Sequence, residues 1–165
     1  MVLGTRQSSS LDQPVLSLLR VVRHSYRPHT GVLVAGDRGI WRITPPVEGN
    51  VTEPGLAIYR FGASLFYANV GRFSEEIRNI VGSRSKVRWL VVDAEAITGV
   101  DYTAARMIRE LHTELLRKGV VLAFARMDHS LQADLVRHRL IDVIGEKFIF
   151  PRLHEALAVF LARSR

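Results

Sequence analysis

The sequence has no cysteine in 165 residues, which excludes disulfides, structural zinc thiolates and thiol nucleophiles and fits a reducing compartment. It has no apolar run near the ~20 residues that a membrane-crossing helix requires. The most apolar early stretch, residues 14–23 (PVLSLLRVVR), is broken by Arg20 and Arg23. It follows a polar start, TRQSSSLDQ, rather than a basic one, so no signal peptide is expected. Catalytic signatures are equally scarce. There is no GxSxG elbow, no Walker loop and no GxGxxG turn. The histidines (His24, His29, His112, His129, His138 and His154) show neither HExxH nor HxxxH spacing and read as surface or helix-end residues. Neither a metal nor a cofactor is expected. Internal repeats and low-complexity tracts are also absent.

What is present is charge of one sign. The formal net charge is +7, mostly arginine and spread along the chain. A basic excess attracts nucleic acid, anionic lipid or acidic proteins. With no block of basic residues and no nucleic-acid motif, a nucleic-acid partner is not expected. The charge reads as a solvated basic surface, or as a weak sign of nearby anionic lipid. Hydrophobic residues make up 47%, enough for a real core in one domain of this length.

The apolar pattern alternates between short β-prone runs and helical periodicity. Residues 1–13 read as a tail and 14–24 as a short helix, either packed on the domain or lying beside a membrane. TGVLVA (30–35) and GIWRIT (39–44) read as a hairpin across Gly36, Asp37 and Arg38. Residues 48–55 (EGNVTEPG) form a loop by composition. Strands are expected at 56–61, 87–92, 120–125 and 148–150. Helices are expected at 69–81, 103–117, 130–143 and 153–162, the second stopped by Gly119. Alternating strands and helices imply a largely parallel sheet with right-handed crossovers. The early hairpin adds an antiparallel edge. Phe66 and Tyr67, an aromatic pair beside a strand end, are expected in the core.

Few polar residues stand out. Asp101 is placed to cap the helix that follows, satisfying free N–H groups. A helix N-terminus also favours negative charge, so Thr103 is either a second capping hydroxyl or a place for phosphate or a bound anion. Asp93 and Glu95 sit at a strand mouth, where open α/β sheets place ligand sites. With no histidine or lysine near them in sequence, Asp93 is expected to cap loop N–H groups and Glu95 to be solvated. Asn69 and Arg72 open the first helix, as a cap and an exposed arginine or as contacts to a partner.

The segment 86–119 (KVRWLVVDAEAITGVDYTAARMIRELHTELLRKG) resembles the signature strand–loop–helix of STAS domains, the modules shared by SulP-type anion transporters and anti-sigma factor antagonists. Residues 64–73 (SLFYANVGRF) are similar to the family's pattern at the preceding helix, 54–61 (PGLAIYRF) to its first central strand, and 26–33 (YRPHTGVL) to the linker leaving the last membrane helix of the transporters. The likeness runs from about Arg20 to the C-terminus. It implies an α/β STAS fold: a mixed, mostly parallel sheet flanked by about four α-helices, with an N-terminal hairpin at the edge. It divides the chain into a tail, linker or juxtamembrane helix (1–29) and the domain (30–165).

The resemblance further implies a non-enzymatic regulatory module on the cytoplasmic face of the inner membrane. Its partners would be the transmembrane domain of the same transporter, a second STAS copy or a soluble regulator, with a weak nucleotide or anion as a possible ligand. Thr103, with Asp101 and Tyr102, stands where the family carries its switch residue. The antagonists carry Asp-Ser-Ser-Gly there. This chain has Asp101-Tyr102-Thr103-Ala104, and its alanine is common in the transporter branch. The transporter branch is therefore expected, the chain being a domain apart from its membrane half. The alternative is a free-standing antagonist phosphorylated on Thr103.

Overall fold

A computed structural model describes residues 28–36, 40–84 and 86–163. The expected tail, the helix at 14–24 and the hairpin turn at 37–38 lie outside these residues. The strands are β1 (Thr30–Ala35), β2 (Trp41–Thr44), β3 (Leu56–Phe61), β4 (Trp89–Asp93), β5 (Val121–Ala125) and β6 (Ile149–Phe150). The helices are α1 (Val70–Ile80), α2 (Tyr102–Arg117), α3 (His129–Arg137), α4 (Leu140–Ile144) and α5 (Leu153–Arg163), with a 3-10 turn at Glu146–Phe148.

One six-stranded sheet runs in the order β2-β1-β3-β4-β5-β6. β1 pairs antiparallel with both β2 and β3, and the remaining pairs are parallel. The antiparallel edge is thus where the hairpin pattern predicted it. Gly31 permits it: a Cβ there would meet the Thr44 carbonyl oxygen at 2.5 Å. The loop before β3 is held by Thr52. Its Oγ1 donates to the Leu33 carbonyl at 2.6 Å and accepts from the Ile58 N–H at 2.8 Å.

Alternation along the strands sends side chains to two cores. Ala57, Tyr59, Phe61, Leu90, Val92, Leu122 and Phe124 meet α1 to α4. Leu56, Ile58, Trp89, Val91, Ala123 and Ala125 meet α5 through Ala156 and Phe160. β4 is buried at every position, as its continuous apolar run requires of a central strand covered on both faces. α1 contributes Val70, Phe73, Ile77 and Ile80, all fully buried at the expected spacing. Each such side chain contributes about 1.5–3 kcal/mol of burial.

Three expectations need correction. The helix expected over 130–143 is two helices, because Arg139 adopts a left-handed conformation (φ 53°) and breaks it. No glycine or proline marks that break. Tyr67 is 71% exposed, since its turn carries it away from the sheet, and Phe66 is only half-buried. Leu161, expected to face inward on α5, is 45% exposed.

Candidate functional site

The parallel strands end, at their carboxyl side, in two separate polar constellations. The first grows from Asp101. Its carboxylate accepts the Ala104 N–H at 2.7 Å through Oδ1, the capping bond the sequence implied. Through Oδ2 it also accepts the Tyr67 N–H at 3.0 Å. The two loops are sewn together further by Leu65 N–H to the Gly99 carbonyl (2.9 Å), by Asp101 N–H to the Leu65 carbonyl (3.1 Å) and by the Ser64 and Thr98 hydroxyls at 2.7 Å.

Asn69 occupies the cap position of α1 but makes no side-chain cap bond. It is buried, and it accepts from Phe66 N–H (3.0 Å) and donates to the Ser64 carbonyl (2.8 Å). It therefore shapes the turn that presents Tyr67. Tyr102, the first residue of α2, is 73% exposed. Two tyrosines thus stand open beside one loop, with half-buried Thr103 next to them. Thr103 makes no side-chain hydrogen bond among the described residues, so its hydroxyl is not a second cap.

The second constellation surrounds Asp93, which is fully buried and points to the α5 face with Trp89 and Val91. It does not cap a loop. Arg60, its register partner on β3, donates from Nε at 2.7 Å. Arg126, just beyond β5, donates a bidentate pair at 2.9 and 2.7 Å. Glu95 is not merely solvated: it meets Arg126 at 2.9 Å and Arg60 at 3.3 Å. The hydrogen bond to Asp93 is the main cause that raises the Arg126 pKa, so the guanidinium stays charged. An open depression of about 350 Å³ adjoins the network, lined by Leu33, Trp41, Arg60, Arg126, Arg152, Leu153 and His154.

Arg72 belongs to neither group. Rather than standing free, it pairs with Glu76 at 2.7 Å and reaches Thr30 Oγ1 at 3.3 Å. Glu76 in turn accepts the Tyr59 hydroxyl at 2.6 Å, and burial, then Glu76, pushes that phenol well above its ordinary pKa. This chain ties α1 to the sheet.

Sequence reasoning missed Arg60 and Arg126. A signal existed: LAIYRF and WLVVD are buried strands that each carry one charge at the carboxyl end. Such charges in adjacent strands call for one another.

Asp93, Glu95 and Asp101, the carboxylates of these two constellations, are all bonded within the described residues. The family model for the STAS domain matches residues 50–156 of this chain. The chain belongs to the STAS domain family. A probable sulfate transporter of Mycobacterium tuberculosis is 37% identical over 151 residues, covering 90% of this chain and 27% of the relative. The murine Slc26a9 anion transporter in the inward-facing state superposes with a TM-score of 0.74 at 19% identity, over 94% of this chain and 26% of that one. The SulP transporter STAS domain from Vibrio cholerae gives a TM-score of 0.54 at 16% identity, over 64% of this chain and 80% of that one. This STAS domain spans about a quarter of the length of these curated sulfate-transporter relatives. No helix among its described residues is long and apolar enough to cross a membrane.

Proposed function

We propose that this STAS domain is the non-catalytic regulatory module of a bacterial SulP-type transporter for sulfate or a related anion, held at the cytoplasmic face of the membrane. The observation that carries this reading is the 37% identity to a probable sulfate transporter over 90% of the chain. The regulatory surface is the Asp101 end of the sheet. β1 begins there, with Thr30 beside Phe61 at the carboxyl end of β3. The described chain enters β1 at the same end as the exposed Tyr67 and Tyr102, which are well suited to a protein contact. The partner is the membrane domain of the same protein, with a second copy or a soluble regulator able to compete for the surface.

Thr103 is the residue through which that contact is tuned. It lies in the first turn of α2, three residues before Arg106 and so on the same side of the helix. Added negative charge there would be drawn to Arg106 and would change the surface that Tyr102 presents. Asp93, Glu95, Asn69 and Arg72 act by fixing the frame rather than by touching a ligand.

An antibody against this chain tests the reading in fractionated cells. The expected band lies in the membrane fraction and is several times larger than 18.6 kDa. A soluble band at that mass would overturn it in favour of a free-standing antagonist.

A further inference from the structure

Four arginines gather at one cleft beside α2. Tyr102, Arg106 and Arg109 form one stripe of that helix and face Arg137, His138 and Arg139 at the junction of α3 and α4, around a space of about 290 Å³. The Arg109 guanidinium is held in place by donating to the His138 carbonyl at 2.7 Å. The Tyr102 and His138 rings meet at 6.3 Å between centroids.

The carboxylates nearby do not neutralise this charge. Asp134 accepts from Arg137 through Oδ1 at 2.7 Å, and its Oδ2 is taken by the Val100 N–H at 3.1 Å. Glu110 approaches Arg106 only at 3.8 Å, with both side chains more than 60% exposed, a pair of little worth. Arg139 has no side-chain partner among the described residues. Four guanidiniums thus line the space, and no carboxylate lines it.

Arg139 also adopts a left-handed backbone (φ 53°) that glycine or asparagine would adopt at lower cost. Non-glycine strain of this kind concentrates where a side chain has a task. The Ala104 N–H at the start of α2 does not supply the site, because the Asp101 carboxylate already accepts it. The site is one of side-chain forks.

We propose that this cleft binds a doubly charged tetrahedral oxyanion of the phosphate or sulfate class. Arginine forks match such oxyanions bidentately, and a dianion can engage several of the guanidiniums that line the space. The oxyanion is either free in solution or carried by a lipid headgroup. The binding does not rest on the transporter reading, because it is measured on the chain itself.

The test is calorimetric titration of the 165-residue chain with sodium sulfate and with inorganic phosphate, against sodium chloride at matched ionic strength. A second arm measures co-sedimentation with vesicles containing phosphatidic acid, whose phosphomonoester headgroup can carry two charges, against phosphatidylcholine vesicles. The test variant combines Arg106→Gln with Arg139→Asn, since asparagine tolerates the left-handed conformation. The control combines Arg84→Gln with Lys86→Gln, which removes the same charge at the amino end of the sheet. Saturable binding that the cleft variant weakens about tenfold or more, and that the control leaves alone, is the expected result. Seen with free anions it assigns a soluble ligand, and seen with vesicles only, a headgroup. No binding preference over chloride or phosphatidylcholine in either arm, or equal loss in the control, overturns the proposal.

Discussion

Arg126 and Arg139 share a backbone anomaly and differ in everything else. Both are non-glycine residues in the left-handed region, at φ 61° and 53°. Arg126 uses all three guanidinium nitrogens internally, two on Asp93 and one on Glu95. Arg139 uses none of its side chain within the described structure. The first strain is offset by a buried ion pair that joins β4 to the end of β5. The second is offset by no side-chain bond among the described residues, only by the backbone bond from Arg139 N–H to the Val136 carbonyl at 2.9 Å. The comparison separates a charge that holds the fold from one whose side chain makes no bond among the described residues, although sequence and backbone alone make the two look alike.

Asp93→Ala should break the first cluster with the largest effect. It removes the carboxylate between Arg60 and Arg126, whose side chains are 32% and 27% exposed. The expected loss is about 3 kcal/mol, the low end for a broken buried pair, because both arginines can reach water. Urea unfolding measures it, and a loss below about 1 kcal/mol would reduce the network to a surface pair.

Asp101→Ala should come next. It removes the α2 cap and the tie to Tyr67, at an expected cost of about 1–2 kcal/mol by the same measurement. Asp101→Asn should recover most of that if capping is the dominant role.

Glycine sharpens the comparison of the two arginines directly. Arg139→Gly should stabilise the domain by about 1 kcal/mol, because only strain is removed. Arg126→Gly should destabilise it, because the lost ion pair outweighs the strain relieved. Equal signs for the two would erase the distinction.

The smallest effect is one of pH. Burial lowers the His112 pKa below its ordinary 6.5, so the unfolded chain binds that proton more readily. Stability from this residue is full above pH 6.5 and falls as the pH drops through that value toward the folded pKa. His112→Gln should flatten the decline in melting temperature between about pH 7 and 5, while leaving the values above pH 7 parallel to those of the parent.

Much of the fold could be read from local pattern. The fully buried β4 run, the stripe of α1 and the hairpin edge each carry their own periodicity. The Asp101 cap was legible for the same reason, since donor and acceptor lie three residues apart. The Asp93 network was not, because its partners lie 33 residues away on either side and only strand register brings them together. The break at Arg139 was hidden by a residue that does not usually adopt its conformation. Tyr67 was misplaced because an aromatic pair beside a strand reads as core, while buried Asn69 turns the chain so that only Phe66 packs.

The central claim is that the Asp101 end of the sheet is the regulatory contact surface of a transporter. Sulfate uptake by cells whose full-length protein carries Tyr67→Ala with Tyr102→Ala tests it most directly, with Thr103→Glu and Thr103→Ala alongside. These side chains are exposed or half-buried, so the isolated domain should keep its melting temperature. The account predicts altered uptake at unchanged protein level in the membrane. Unchanged uptake in all three would contradict it.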